Sequence, residues 1–301
     1  MIALTTSLSA QDLVSKKGEV FLPESGDWAI SADATPFLDY VGRLLSNAGA
    51  NSPTMGYTNG YPWAIRGKMF KDENTAYRAG IRLGFGNTKW MNEIPVPQAS
   101  GTPAVEYPNL SPVANDEFKR SYSGVVLSGG LEMRRGNTRL QGYYGGELII
   151  GMMGEKDAYT YANALSSGSG SDPEITAGAN STDWSTSTGY NNLGDDPAGG
   201  DGRMLERKES SMMIGARGFI GVEYFIFPKI SVGAEYGWGL GFGSTKVTDT
   251  SEGSETVDGS LVIGNFTNET KVSGFSVDSD IQNNMTGMVG GSGSLNIIFH
   301  F

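Results

Sequence analysis

The chain has 301 residues, a net charge of -11, 44 glycines, one histidine and no cysteine. Without cysteine it forms no disulfide, thiolate metal site or lipid anchor on a terminal cysteine, and it has no cysteine nucleophile. No run of about 18 apolar residues occurs, so no helix is expected to cross a membrane, although strands hide such a signal because only every second residue meets lipid.

Residues 1–10 read as the tail of a secretory signal. Ser7-Leu8-Ser9-Ala10 places small residues at a cleavage spacing, with Gln11 as the expected mature start. Residues 11–26 are polar and read as a lead-in.

From residue 27 the pattern has a period of two. Strands are predicted at roughly 27–35, 61–70, 75–87, 119–134, 139–153, 210–227, 230–244 and 286–301. Ile230, Val232, Ala234, Tyr236, Trp238, Leu240 and Phe242 share one face of the seventh. Its other face reads Ser231, Gly233, Glu235, Gly237, Gly239, Gly241 and Gly243. That contrast predicts a strand with one side in an apolar medium. The last segment alternates in the same way, with Leu295, Ile297, Phe299 and Phe301 on one side.

Thr35–Leu45 reads as a helix. Thr35 caps it, Pro36 fits the first turn, and Phe37, Leu38, Val41, Leu44 and Leu45 share a face.

Short connections (71–74, 135–138, 227–229) alternate with long segments (36–60, 88–118, 154–209, 245–285). Segment 154–209 has ten acids and four bases, and 245–285 has seven acids and two bases. This acidity argues against a nucleic-acid partner. The stretch 191–202 is rich in oxygen ligands but does not match a calcium-binding loop, and it reads as a solvated turn. No metal site and no cofactor are predicted.

The inward parity carries Asp33, Arg66, Lys68, Arg78, Arg82, Glu132, Arg134, Glu147, Arg217, Glu223 and Glu235. Five acids face six bases, so the expected arrangement is an internal ion-pair plug. The alternative is a narrow ion path lined by the same residues. On the outward parity, aromatic residues gather near strand ends. Trp28, Tyr77 and Tyr224 lie at one end, and Trp63, Phe85, Trp238 and Phe242 at the other. Two such belts are expected where a protein crosses two membrane interfaces.

Acyl-transfer or hydrolytic chemistry generally pairs a serine with a histidine base. The one histidine, His300, sits in the last predicted strand and faces inward, so no enzyme is predicted.

The terminal Phe299-His300-Phe301, the glycine-rich hairpin 212–243 and the short–long loop pattern together resemble the small eight-stranded outer-membrane proteins of Gram-negative bacteria. These are of the type of the OmpA transmembrane domain, OmpX and OmpW. The resemblance implies an all-β fold over residues 27–301, a closed antiparallel up-and-down transmembrane β-barrel of eight strands. Long loops would be extracellular. The turns, the 11–26 lead-in and both termini would be periplasmic. It implies that Phe299 and Phe301 form an insertion signal for the barrel-assembly machinery. It also implies contact with outer-membrane lipid and lipopolysaccharide, with a larger outer-membrane complex as a further partner. The expected role is structural or surface-binding through acidic loops. The alternative role is a small channel or transporter for ions or small solutes.

Overall fold

A computed structural model of the chain describes residues 14–15, 18, 20–33, 65–96, 112–165, 181–194, 202–257, 260–279 and 294–301. The expected signal remnant, the helix at 35–45, Trp63 and the first part of the predicted last strand (286–293) lie outside these residues.

Among the described residues nine strands form one antiparallel sheet. They are β1 (Trp28–Asp33), β2 (Ile65–Asp72), β3 (Thr75–Pro95), β4 (Val113–Arg135), β5 (Leu140–Thr160), β6 (Gly202–Phe227), β7 (Ile230–Val257), β8 (Ser260–Ser279) and β9 (Ser294–His300). A single helical turn, α1 (Ser185–Thr188), lies between β5 and β6. The strand order is β6-β5-β4-β3-β2-β1-β9-β7-β8, and β6 also pairs with β7. That additional pairing closes the sheet into a ring. β9 pairs with Ile230–Glu235 of β7, and β8 pairs with Trp238–Val257 of the same strand. The two therefore follow one another along one side of β7, and nine strands fill eight positions.

The register is staggered around the ring. From Ile30 it runs through Gly67, Ala79, Gly129, Leu148 and Ala216 to Leu240. In the other direction Ile30 reaches Ile230 through Phe299. The two arrivals lie ten residues apart on β7, from 230 to 240. For eight positions this shear tilts the strands by about 40°.

Alternation decides which way each side chain points. Tyr77, Ala79, Ile81, Leu83 and Phe85 of β3 face outward, and Ala76 and Arg78 are buried inside. On β6 and β7 the outward rows run from Ile226 to Met212 and from Ile230 to Phe242, all apolar or glycine. Large apolar side chains are exposed throughout this band, including Trp28, Phe85, Leu148, Trp238 and Phe299. The buried side chains at the same level include Lys68, Arg78, Glu132, Arg134 and Glu223. Apolar residues outside and charges inside invert the arrangement of a water-soluble sheet.

Tight turns join the strands at the base of the ring. Pro228 sets the first turn position between β6 and β7, and Lys229 takes the second with φ 73, a region usually left to glycine. At the same end β1 meets the last residue. Trp28 N–H donates to the Phe301 carbonyl (3.2 Å), and Phe301 N–H donates to that of Trp28 (2.7 Å).

The structure corrects the predicted strand number and loop lengths. Residues 245–285, read as one long loop, contain the upper half of β7 and all of β8 through Ser279. Likewise β3 runs on to Pro95, β4 begins at Val113, β5 runs on to Thr160 and β6 begins at Gly202. Much of the acidity assigned to loops sits on these extensions. The reason is chemical. Beyond the apolar band the outward face turns polar, and the inner face mixes Trp90, Phe118, Tyr159 and Met204 with Asp116, Arg120 and Asp157, so apolar residues no longer keep to one parity and the period of two loses its contrast.

Candidate functional site

The ring brings charged side chains from distant strands together in its interior. Glu132 on β4 touches Lys68 Nζ (2.9 Å), Arg134 Nη1 (2.9 Å) and Arg78 Nη1 (3.3 Å). Glu223 on β6 touches Arg134 Nη1 (2.9 Å) and Lys68 Nζ (3.4 Å). It also accepts a hydrogen bond from Ser231 Oγ (2.5 Å) and lies 2.9 Å from His300 Nε2. Arg134 Nε donates to Gln141 Oε1 (2.9 Å). One layer up, Glu235 on β7 meets Arg78 (2.8 Å), Arg217 (2.9 Å) and Arg66 (3.5 Å), and Arg217 also reaches Glu147 (2.8 Å).

Every carboxylate in this group has at least one cationic partner within 3 Å. Charges this deep are tolerable only when so paired. Aromatic faces fill the remaining space. The Arg78 guanidinium lies 3.9 Å above the Phe219 ring, and Lys68 Nζ lies 4.7 Å from that of Tyr143. Glycines make the room. A Cβ on Gly221 would collide with the Tyr143 ring, and one on Gly237 would come within 2.7 Å of Arg217 Nε. Phe70 and Phe225 close the base against the His300 ring, at 5.7 and 5.1 Å.

Nine of the eleven inward charged residues named from sequence meet in this network. Arg82 stands further up β3, half-buried on the inner face. Asp33 pairs with Asn296 through the backbone, and its side chain lies outside the described set. Sequence reasoning placed Ser231 on the inner face without assigning it to the network, and it named neither Tyr143 nor Gln141 as a site residue. Tyr143 and Gln141 share the inner parity of Glu147, which is the signal that places them.

Ser231, His300 and Glu223 form a cluster of hydroxyl, imidazole and carboxylate. It does not have the geometry of a catalytic triad. Serine and carboxylate both approach Nε2, at 3.0 and 2.9 Å, so the ring cannot relay a proton from one to the other. The cluster is also buried. Among the described residues no group of His, Asp and Glu is arranged to hold a metal ion. Asn191–Gly194 of the oxygen-rich stretch is described, and 195–201 lies outside.

A second cluster occupies the upper end. Phe118 stacks between Trp90 (4.8 Å) and Tyr159 (5.1 Å), with Trp184 at 5.8 Å and Met204 beside them. Residues 181–194 fold over this platform. The buried Asp116 carboxylate accepts from the Ala162 and Thr182 backbone N–H groups (2.8 and 2.7 Å). Asn192 accepts from Trp184 N–H (2.7 Å) and donates to the Thr182 carbonyl (2.9 Å). Arg120 grips Asp157 with two hydrogen bonds of 2.8 and 2.7 Å. That grip raises the Arg120 pKa and keeps it charged. Burial raises the Glu155 carboxyl above its ordinary value, against the pull of Arg120, and it pushes the Tyr159 hydroxyl up to about 12.

No protein-family model, curated protein or solved structure matches the chain.

Proposed function

We propose that the chain is an integral outer-membrane β-barrel protein of eight strand positions, with short periplasmic turns at its base and its strand extensions outside the cell. Its interior acts as a plug. It serves as a rigid, non-enzymatic platform that presents the capped upper end and the acidic extensions to partners at the cell surface.

The observation that carries this reading is the inverted distribution of side chains. The continuous apolar rows span from Tyr77 to Phe85 on β3 and from Ile230 to Phe242 on β7. At the tilt set by the shear these rows cover about 20–30 Å along the axis, matching the apolar band of outer-membrane barrels. Trp28, Tyr77 and Tyr224 stand at its lower end and Phe85 and Phe242 at its upper end, with Trp238 inside the band, all exposed. The paired interior supports a plug rather than a conduit.

The test uses the protein reconstituted in phosphatidylcholine vesicles whose acyl chains carry bromine. Trp28 and Trp238 point outward and Trp184 is buried. Strong quenching is expected, and Trp28→Phe with Trp238→Phe removes most of the quenchable emission whereas Trp184→Phe does not. Equal quenching in both variants, or none at all, overturns the membrane assignment.

A further inference from the structure

Above the apolar band six strands change character in the same order. Their continuous outward apolar rows end at Phe85, Val125, Met152, Met212, Phe242 and Phe275, and exposed apolar side chains return on that face only further out, at Met91, Val113 and Ile263. The next outward positions are small or neutral, among them Asn87, Ser123, Gly154, Ser210, Ser244 and Ser273. Then each strand presents an exposed lysine. These are Lys89, Lys119, Lys156, Lys208, Lys246 and Lys271.

The lysines stand directly opposite one another in pairs, Lys89↔Lys119, Lys156↔Lys208 and Lys246↔Lys271. Like charges in that relation destabilise a sheet. Each pair has one carboxylate, through Lys89–Glu117 (2.6 Å), Lys156–Glu206 (2.5 Å) and Lys246–Glu269 (2.6 Å). Lys119, Lys208 and Lys271 form no ion pair among the described residues. A chain with a net charge of -11 thus gathers unneutralised positive charge in one belt.

On five of the six strands the lysine is four residues beyond the end of that apolar row. With tilted strands this is about 10 Å, the depth of the headgroup layer for a side chain that can bend back toward the membrane. A shallow cavity of about 780 Å³ opens on the outer face just below. Leu83, Phe85, Met152 and Met212 line it, and Lys246 and Lys271 stand at one edge.

We propose that this face binds a phosphorylated, multiply acylated lipid of the outer leaflet, the lipid A part of lipopolysaccharide. Acyl chains lie in the apolar groove, and phosphates bridge the opposed lysines, with Lys119, Lys208 and Lys271 as the free cations. This rests on the membrane reading above. An anion between two lysines turns a repulsive pair into a bridged one, which explains why the sheet keeps them face to face.

The experiment measures the thermal unfolding midpoint in phosphatidylcholine vesicles as diphosphorylated lipid A is added. A ligand bound to the folded state raises the midpoint with its concentration. The triple variant Lys119→Ser, Lys208→Ser, Lys271→Ser folds with less internal repulsion. It is expected to need on the order of twenty-five-fold more lipid A for the same rise, from roughly fivefold for the lysine lost at each of the two phosphates. Lys→Arg at the three positions is expected to restore the response. An equal response of the triple variant overturns the proposal, and so does an equal response to phosphatidylglycerol or to inorganic phosphate. Acyl-chain quenching of Trp238 in the same vesicles separates the two levels. Quenching without a lipid A effect sinks this inference alone, and no quenching sinks the membrane reading with it.

Discussion

Arg78 and Glu235, 157 residues apart in the chain, meet inside the ring with Nη1 2.8 Å from Oε2. Glu235 also faces Arg66 and Arg217, so it offsets three cations at once. Glu235→Ala leaves those cations without their shared partner. Breaking a buried pair from one side costs about 3–5 kcal/mol. Denaturant unfolding in vesicles is expected to show a loss of that size. A loss below about 1 kcal/mol would mean that water, not the carboxylate, neutralises the arginines.

A plugged interior makes a second expectation. In planar bilayers the protein is expected to give no stable step conductance. The double variant Lys68→Ala, Arg134→Ala removes the two cations that bridge Glu132 and Glu223. It is expected to show transient openings. A steady conductance from the unaltered protein would favour the channel reading.

Gly221 lies under the Tyr143 ring. Gly221→Val forces that ring aside and presses it on the Lys68 and Phe219 layer. Overpacking of this kind costs about 1–3 kcal/mol. The loss should appear as a lower denaturant midpoint, with Tyr143→Ala restoring part of it in the double variant. No recovery would mean that the glycine serves another contact.

Ala234 sits outward on β7, between Val222 and Leu295 in register. Ala234→Arg is expected to cost about 2–4 kcal/mol in vesicles if it lies at the bilayer midplane. Ser244→Arg, beyond the apolar band, is expected to be close to neutral. Similar stabilities for the two variants would place the apolar band elsewhere.

Asp116 accepts from two loop N–H groups, those of Ala162 and Thr182, one on each carboxylate oxygen. Asp116→Ala is expected to loosen residues 181–194 at a local cost of about 1–3 kcal/mol. Limited proteolysis should then cut near Trp184 while the strands below stay intact. Unchanged protection would show that the aromatic stack alone holds the segment.

The sequence made the apolar band legible because outward and inward positions differ sharply there. The parity that puts Tyr77 and Leu83 on one side of β3 puts Arg78 and Arg82 on the other. Above the band Lys156 and Glu155 are neighbours of opposite parity, both polar, and β5 looks like loop although it runs on to Thr160. One missed signal was local. Val257 pairs with Ser260, and the two residues between them are Asp258 and Gly259, a favoured hairpin pair. The ion pairs themselves were not legible. Parity names the charged residues of a face, but the partner of Arg78 depends on the ten-residue stagger of the ring, which emerges only when all strands are registered.

The seam between β1 and β9 pairs Ala29 with His300, so the sheet is sealed by the two strands most distant in sequence. Contacts between such remote segments form late and slowly, because the chain must first be brought round on itself. Until then β1 and β9 each expose an unpaired edge beside bare apolar surface, an invitation to aggregation. For a nascent copy of this molecule, the interval before those two edges meet is the one in which edge-to-edge association competes with closure of the ring.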